Sequence, residues 1–396
     1  MKTSRLILKP GREKAVLRRH PWIFSGALAR VEGGPAAGDC LRVESADGRF
    51  LAWGAYNPDS QIVARLWSFE ESRPLDDALI IELVQRAVAA RYRHFPEAEA
   101  LRLINAESDG LPGVICDRYA QQLVLQLTSA GATTRREALV KALLKTTGLA
   151  AVYERSDGDV MALEGLEVRC GSLQGPTPAG PITITEGDLR FEVNVSEGQK
   201  TGFFLDQRDN RALVRRYAHA ADVLDCFCYT GGFTLNALAG GARQVMAIDA
   251  SDHALAVARS HVELNGLNAE RVDFAEDDVF KRLRKLRDQA RAFDLIVLDP
   301  PKFAPTAAMA ERAARGYKDI NLLALKLLKP GGLLFTFSCS GGISRDLFQK
   351  IVAGAASDAG LPAQIVRGLG PSADHPVALA FPEGDYLKGL LVQIPG

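Results

Sequence analysis

Two short runs late in the chain hold the residues best suited to covalent chemistry: Asp299-Pro300-Pro301-Lys302-Phe303 and Phe337-Ser338-Cys339-Ser340-Gly341-Gly342. Each closes an apolar segment, Leu295 to Asp299 and Leu333 to Ser338, that reads as a strand. If those strands pair in parallel, about 4.8 Å apart, their C-terminal loops bring Asp299 and Cys339 within one nucleobase width. The diproline stiffens its loop and prevents helix, which suits holding a flat substrate against Asp299 and Phe303. A cysteine placed there has a specific use. Cytosine is a poor nucleophile at C5, but a thiolate added at C6 makes an enamine whose C5 attacks a sulfonium methyl. Loss of the C5 proton and elimination of the thiol complete the transfer. Cysteine serves because its thiolate forms near neutral pH, and Asp299 is expected to hold the N3 and N4 edge of the base. No residue is assigned as the base that takes the C5 proton. The alternative for Cys339 is a small buried apolar residue ending a strand, which is also the reading of Cys226 and Cys228.

The methyl donor needs its own site, and the preceding strand ends supply one. Asp225-Cys226-Phe227-Cys228-Tyr229-Thr230-Gly231-Gly232-Phe233 is a tight glycine turn running from a strand into a helix. It lacks the triple-glycine pattern that a dinucleotide pyrophosphate requires, whereas a nucleoside with a sulfonium tail has no pyrophosphate to bind. Asp225, Phe227, Tyr229, Thr230 and Gly231 are the candidate contacts in this turn. Asp249 ends the next strand, where a carboxylate can accept both ribose hydroxyls, and Ser251 follows as helix N-cap. Asp277 and Asp278 follow the third strand, and one of them is placed to accept from an adenine amino group. Asp299 and Pro300 complete the set. Taken singly, each carboxylate is equally an ordinary cap or turn residue.

These residues need a parallel sheet to position them. From Asp222 onward apolar strands alternate with helical segments: Val223 to Phe227, Val245 to Asp249, Val272 to Ala275, Leu295 to Asp299 and Leu333 to Ser338. That alternation is the signature of a doubly wound α/β fold, whose ligands sit at the carboxyl ends of the strands. Upstream the pattern differs. Residues 1 to about 72 give short strands (Leu41 to Val43, Phe50 to Tyr56, Ile62 to Trp67) and form a β-rich unit. Residues 73–180 read as mixed α/β: a helix over Asp76 to Arg93, paired strands Gly113 to Asp117 and Gln122 to Thr128 around Arg118-Tyr119-Ala120, a helix near Thr134 to Thr146, and a strand at Ala151 to Arg155. The Gly- and Pro-rich stretch Gly171 to Pro181 marks a boundary, followed by a hairpin around Gly187-Asp188. The third domain spans 181–396.

The chain has 396 residues, 47% hydrophobic and 24% charged, and Lys plus Arg equals Asp plus Glu at 48 each. Any polyanion site must therefore be local. One local excess lies in residues 1–30, where Lys2, Arg5, Lys9, Arg12, Lys14, Arg18, Arg19 and Arg30 face only Glu13. It is either a phosphate-facing surface or a solvated face. The basic start lacks the apolar run of a secretory signal, and Leu322 to Ser340 is broken by Lys326, Lys329, Pro330 and Gly331, so a cytoplasmic protein with no membrane span is expected. Six cysteines show no metal-ligand spacing and no disulfide framework, and no His has a partner at ligand spacing, so no metal site is expected.

The chain resembles the bacterial large-subunit (23S) ribosomal RNA cytosine-C5 methyltransferases. The resemblance rests on Gly11-Arg12-Glu13-Lys14 through His20-Pro21-Trp22-Ile23-Phe24-Ser25-Gly26, on Glu107-Ser108-Asp109-Gly110-Leu111-Pro112-Gly113, and on Lys200 through Arg208 (Lys-Thr-Gly-Phe-Phe-Leu-Asp-Gln-Arg). In the last domain it rests on the Tyr229 and Asp299 runs, on Arg315-Gly316-Tyr317-Lys318-Asp319-Ile320-Asn321, and on Phe337-Ser338-Cys339-Ser340. It implies an N-terminal PUA domain, a small middle domain, and a Rossmann-like methyltransferase domain using S-adenosylmethionine. It further implies that Phe204, Leu205, Asp206, Gln207 and Arg208 lie against the cofactor, that Cys339 is the nucleophile, and that the protein is a homodimer. The basic N-terminal residues Lys9, Arg12, Lys14, Arg18 and Arg19, together with Lys302, are then the RNA contacts. The sequence departs from the family at Cys228, where serine is usual. The neighbouring readings are an RNA methyltransferase acting on an exocyclic amine, which needs no nucleophile, and a catalytically silent RNA-binding protein.

Overall fold

The computed structural model describes residues 4–158, 160–304 and 309–396; Lys2 lies outside them. The described chain divides into two compact units, one of residues 1–185, 193–205 and 373–384, the other of 186–192, 206–372 and 385–396.

The first unit contains two sheets. Strands β1 (Arg5–Leu8), β2 (Trp22–Phe24), β3 (Leu28–Glu32), β4 (Cys40–Glu44), β5 (Phe50–Tyr56) and β6 (Ile62–Ser68) form one, in the order β2-β6-β5-β4-β1-β3. Leu6, Leu8, Ile23, Leu41, Val43, Val63 and Leu66 pack its core together with Val16 from the one-turn helix α1 (Lys14–Leu17). Lys9, Arg12, Lys14, Arg18 and Arg19 all remain exposed. Arg5 and Arg30 instead ion-pair with Glu32, a partner from beyond the basic stretch.

The second sheet has the order β11-β10-β9-β8-β7, from β7 (Ala100–Asn105), β8 (Val114–Tyr119), β9 (Gln122–Leu127), β10 (Ala151–Ser156) and β11 (Arg169–Gln174). Helix α2 (Asp77–His94), capped by Asp76 accepting from Leu79 N at 2.9 Å, packs on it with α4 (Arg136–Thr147). Two one-turn helices, α3 (Ala130–Thr133) and α5 (Val160–Leu163), complete the unit's helices. Two sequence expectations need correction here. The turn between β8 and β9 is tighter than Arg118-Tyr119-Ala120, because Tyr119 still pairs with Gln122 and only Ala120 and Gln121 turn, Ala120 at φ 51°. The stretch read as a linker from Gly171 gives its first residues to β11, which pairs antiparallel with β10.

Hairpin β12 (Ile182–Glu186) and β13 (Leu189–Val193) carries the chain between the units. The second unit is a seven-stranded sheet: β14 (Asp222–Cys226), β15 (Gln244–Asp249), β16 (Val272–Glu276), β17 (Phe293–Leu298), β18 (Leu328–Ser338), β19 (Gln364–Leu369) and β20 (Lys388–Gln393). Its order is β16-β15-β14-β17-β18-β20-β19. The five strands read from the sequence are parallel, and order reverses between β14 and β17, the switch point where such sheets bind ligands. Residues 245–248 of β15 and 295–298 of β17 are apolar throughout because helices cover both faces. These are α6 (Arg208–Tyr217), α7 (Gly232–Ala239), α8 (Asp252–Leu264), α9 (Val279–Asp288), α10 (Ala310–Lys326) and α11 (Arg345–Ala359). The antiparallel β19 and β20 are additions that the sequence reading did not contain. Among the described residues no helix is long and apolar enough to cross a membrane.

Candidate active site

The turn after β14 is built by backbone. Phe227, Tyr229 and Gly231 take left-handed conformations, φ 61°, 49° and 80°, which is costly for the first two and natural only for glycine. A Cβ on Gly231 would also stand 3.0 Å from Ala258 Cβ, so α8 packs against this turn. Two side chains hold the strained loop. Asp249 accepts from Tyr229 N at 2.9 Å through one oxygen and from Ser251 N at 3.0 Å through the other. His261, fully buried, accepts from Glu192 N at 2.9 Å through Nε2. Its proton therefore sits on Nδ1 and is donated to Thr230 O at 2.9 Å. Burial keeps this imidazole below the usual histidine range, hence neutral. The sequence reading missed His261; a lone histidine on a helix carries no signal until its neighbours across space are known.

Around this turn the predicted carboxylates assemble. Ser251 caps α8 by accepting from Ala254 N at 3.2 Å, as expected. Each Asp249 oxygen, with one N–H bonded, keeps a lone pair for another donor. Asp277 donates its N–H to Asp249 O at 3.1 Å, and Asp278 caps α9 through Lys281 N at 2.9 Å. Asp225 is fully buried and accepts from Thr234 Oγ1 at 2.6 Å through Oδ2, while Oδ1 has no hydrogen-bond partner among the described residues. Burial, reinforced by the charges of Asp299 and Asp249 and opposed by the Thr234 bond, pushes its carboxyl up to about 7. A buried acceptor left open at the switch point is what a polar or cationic ligand would satisfy.

Asp206 and Gln207 are 2% exposed, Asp206 accepting from the Tyr386 hydroxyl and Gln207 from Asn210 Nδ2. Arg208 and Arg211 both pair with Glu186. Arg211 lies against the glycine turn, since a Cβ on Gly232 would meet its Cδ at 3.0 Å. Phe204 belongs to the other unit, as do the basic residues of the N-terminus.

The reacting side is organised by Ser340. Its Oγ accepts from Phe303 N at 3.1 Å and Ala304 N at 3.0 Å, tying the loop after β17 to the loop after β18. With both lone pairs taken, its own proton points at the buried Tyr317 hydroxyl, 2.9 Å away. Phe303 packs on the Tyr317 ring with centroids 4.6 Å apart. Cys339 is partly exposed between these loops, its Sγ 3.9 Å from Pro300 O. Asp299 is partly buried at the adjoining tip, its N–H 3.5 Å from Cys226 O, and Lys302 is exposed. Cys226 and Cys228 are buried, and burial raises both thiols well above the usual range. Cys228 packs on Ala247 and Leu255. The three late cysteines therefore separate into two apolar packing residues and one accessible thiol.

Residues 114–364 match the model of the S-adenosylmethionine-dependent methyltransferases, and residues 6–69 that of the PUA-like domain. The chain is 50% identical over 392 residues to ribosomal RNA large subunit methyltransferase I of Shewanella amazonensis, covering 98% of this chain and 99% of that one. It is also 50% identical over 393 residues to the protein of that name from Klebsiella pneumoniae, covering 98% of each. Two solved structures share the fold over 98% of the chain and 99% of their own at 21% identity. They are a putative methyltransferase complexed with SAH, TM-score 0.86, and a putative SAM-dependent methyltransferase from Streptococcus mutans, TM-score 0.84. With a Rossmann-like domain, a PUA-like domain and S-adenosylmethionine as cofactor, the chain belongs to the S-adenosylmethionine-dependent methyltransferases, in the family of the large-subunit ribosomal RNA methyltransferases I.

Proposed function

We propose that this protein methylates C5 of a cytosine in 23S ribosomal RNA, with Cys339 as the nucleophile. The observation that carries the reading is the isolation of one accessible thiol, Cys339, beside Pro300 O at the tips of β17 and β18, while Cys226 and Cys228 are buried. The relatives' name supports ribosomal RNA as the substrate, and the PUA-like domain with exposed Lys9, Arg12, Lys14, Arg18 and Arg19 supports phosphate contact. The three-part division at about residues 72 and 180 belongs to the same reading, with Lys302 reaching RNA at the site.

When bound, S-adenosylmethionine supplies an electrophilic methyl group. Asp225, Tyr229, Thr230, Gly231, Asp249 and one of Asp277 and Asp278 hold it, with Asp206 to Arg208 on the approach from α6. The Cys339 thiolate forms a bond to C6 as the C5=C6 π pair moves onto C5, and Asp299 holds the N3 and N4 edge so that the added charge is stabilised. Once C5 carries the methyl group, its proton passes to solvent base, the C5–H pair re-forms the C5=C6 bond, and the S–C6 pair returns to sulfur. The target base must leave its stack to reach this loop, at a cost of a few kcal/mol.

The test is incubation of the protein and of Cys339→Ala with labelled S-adenosylmethionine and unmodified large-subunit ribosomal RNA, followed by mass identification of the labelled nucleoside. Label in 5-methylcytidine that vanishes in the variant is expected. Label in an amino-methylated nucleoside, or transfer that survives the substitution, sinks the covalent reading.

A further inference from the structure

β20 opens with a lysine at the reacting end of the sheet. Lys388 is 3% exposed, and the register sets it opposite Ser338, the residue before Cys339. Its Nζ donates to Ser340 O at 2.8 Å, the carbonyl of the residue after Cys339. The two strands are pressed together at this point: a Cβ on Gly389 would lie 2.4 Å from Phe337 Cδ1, so β20 cannot shift outward without losing its fit. The ammonium thus brackets Cys339 from the neighbouring strand.

A buried ammonium normally finds a carboxylate, because an uncompensated buried charge costs several kcal/mol. Among the described residues Lys388 makes no ion pair. Asp385, three residues earlier, is taken up by Arg345, which donates to its two oxygens at 2.6 and 2.7 Å. One of three ammonium N–H groups is used, on a neutral carbonyl. Burial holds the amine below the usual lysine range, with Arg345 and Lys302 adding to the effect, while Asp385 and Cys339 favour its charge. The neutral hydroxyls beside this loop are already engaged, Tyr317 of α10 with Ser340 Oγ and Ser338 with Ser340 N. What the cation lacks is an anion, and the group beside it that can become one is the Cys339 thiol.

We propose that Lys388 is a positioning residue for the nucleophile: its ammonium, anchored on the Ser340 carbonyl, stabilises the Cys339 thiolate and lowers the pH at which it forms. The thiol proton goes to solvent, the electron pair stays on sulfur, and Lys388 keeps its own protons throughout. The proposal rests on Cys339 being the nucleophile.

The test is alkylation of Cys339 by iodoacetamide in the full-length protein across a pH series, followed by peptide mass so that Cys40 and Cys170 are read separately. The variants are Lys388→Met, Lys388→Gln and Lys388→Arg. Loss of the charge in Met and Gln is expected to move the Cys339 profile upward by about one pH unit or more, a tenfold slower reaction at neutral pH. Arg is expected to restore most of it. Gln keeps an N–H for Ser340 O without a charge, so a Gln variant with the wild-type profile overturns the proposal and leaves Lys388 as a mere anchor. If Met fails to fold, the contrast between Gln and Arg decides. A shifted profile together with methyl transfer that survives Cys339→Ala leaves the Lys388 effect standing while the covalent reading falls.

Discussion

The loops after β14 and β18 lie at the same end of one sheet but are fixed by different parts of the chain. After β14 the chain turns through three left-handed residues, and the side chains of Asp249 and His261 fasten its backbone at Tyr229 N and Thr230 O. After β18 the holding falls to a few side-chain atoms, the Ser340 hydroxyl and the Lys388 ammonium, reaching across from one strand tip to the next. A loop of the first kind yields mainly to substitutions that forbid its dihedrals. A loop of the second kind comes apart when one polar atom is removed.

The largest effect should come from the cysteines themselves. Cys339→Ala is expected to abolish methyl transfer while leaving S-adenosylmethionine affinity unchanged by calorimetry, whereas Cys228→Ser should retain transfer; equal losses would erase the distinction between accessible and buried thiols. Next comes Ser340→Ala, which strips the acceptor from the part-buried Phe303 N–H and the buried Ala304 N–H, the latter alone costing about 1–3 kcal/mol. A fall of about a hundredfold in single-turnover transfer is expected, since small misplacements of reacting groups cost that much, again with cofactor affinity intact. Gly231→Ala should reverse the pattern. It strains a left-handed residue at about 1–3 kcal/mol, so the melting temperature and cofactor affinity should drop together, and an unchanged affinity would contradict a cofactor role for this turn.

The smallest effect concerns Asp225. Its folded carboxyl titrates near 7, above its ordinary value of 3.8, so the stability it contributes is complete below the ordinary value and lost as pH rises through about 7. Asp225→Asn does not titrate. The melting temperature of the variant relative to wild type should therefore climb between about pH 4 and pH 8; a flat difference would mean that the carboxyl is not held protonated.

The parallel strands β15 and β17 were readable because residues 245–248 and 295–298 are unbroken apolar runs with an aspartate at the tip. β7 was not, since Arg102 interrupts Ala100–Asn105 and reads as a surface residue. It is buried only because Asp117 on β8 accepts both arms of its guanidinium at 2.8 Å. β19 is exposed along almost its whole length and offers no alternation. Lys388 and His261 fail for the same reason at single-residue scale: a charged or titratable side chain looks solvated until a distant strand or loop supplies its partner. The glycine turn and the aspartates at the strand ends could be picked out because their constraint is local. Cys339 stood out by its neighbours in sequence, but its separation from Cys226 and Cys228 became visible only through burial.

Strand order has a consequence for how the protein is made. β20 lies inside the sheet, between β18 and β19, although it follows both of them in the chain. While residues 388–393 remain in the ribosomal tunnel, β18 has an open edge and the Cys339 loop lacks one of its walls. A chain stopped by a nonsense codon shortly before Lys388 would carry every recognisable motif and still present an unpaired strand, prone to pair with other chains. The loop that carries Cys339 is thus completed only after residues 388–393 have left the ribosome and paired with β18.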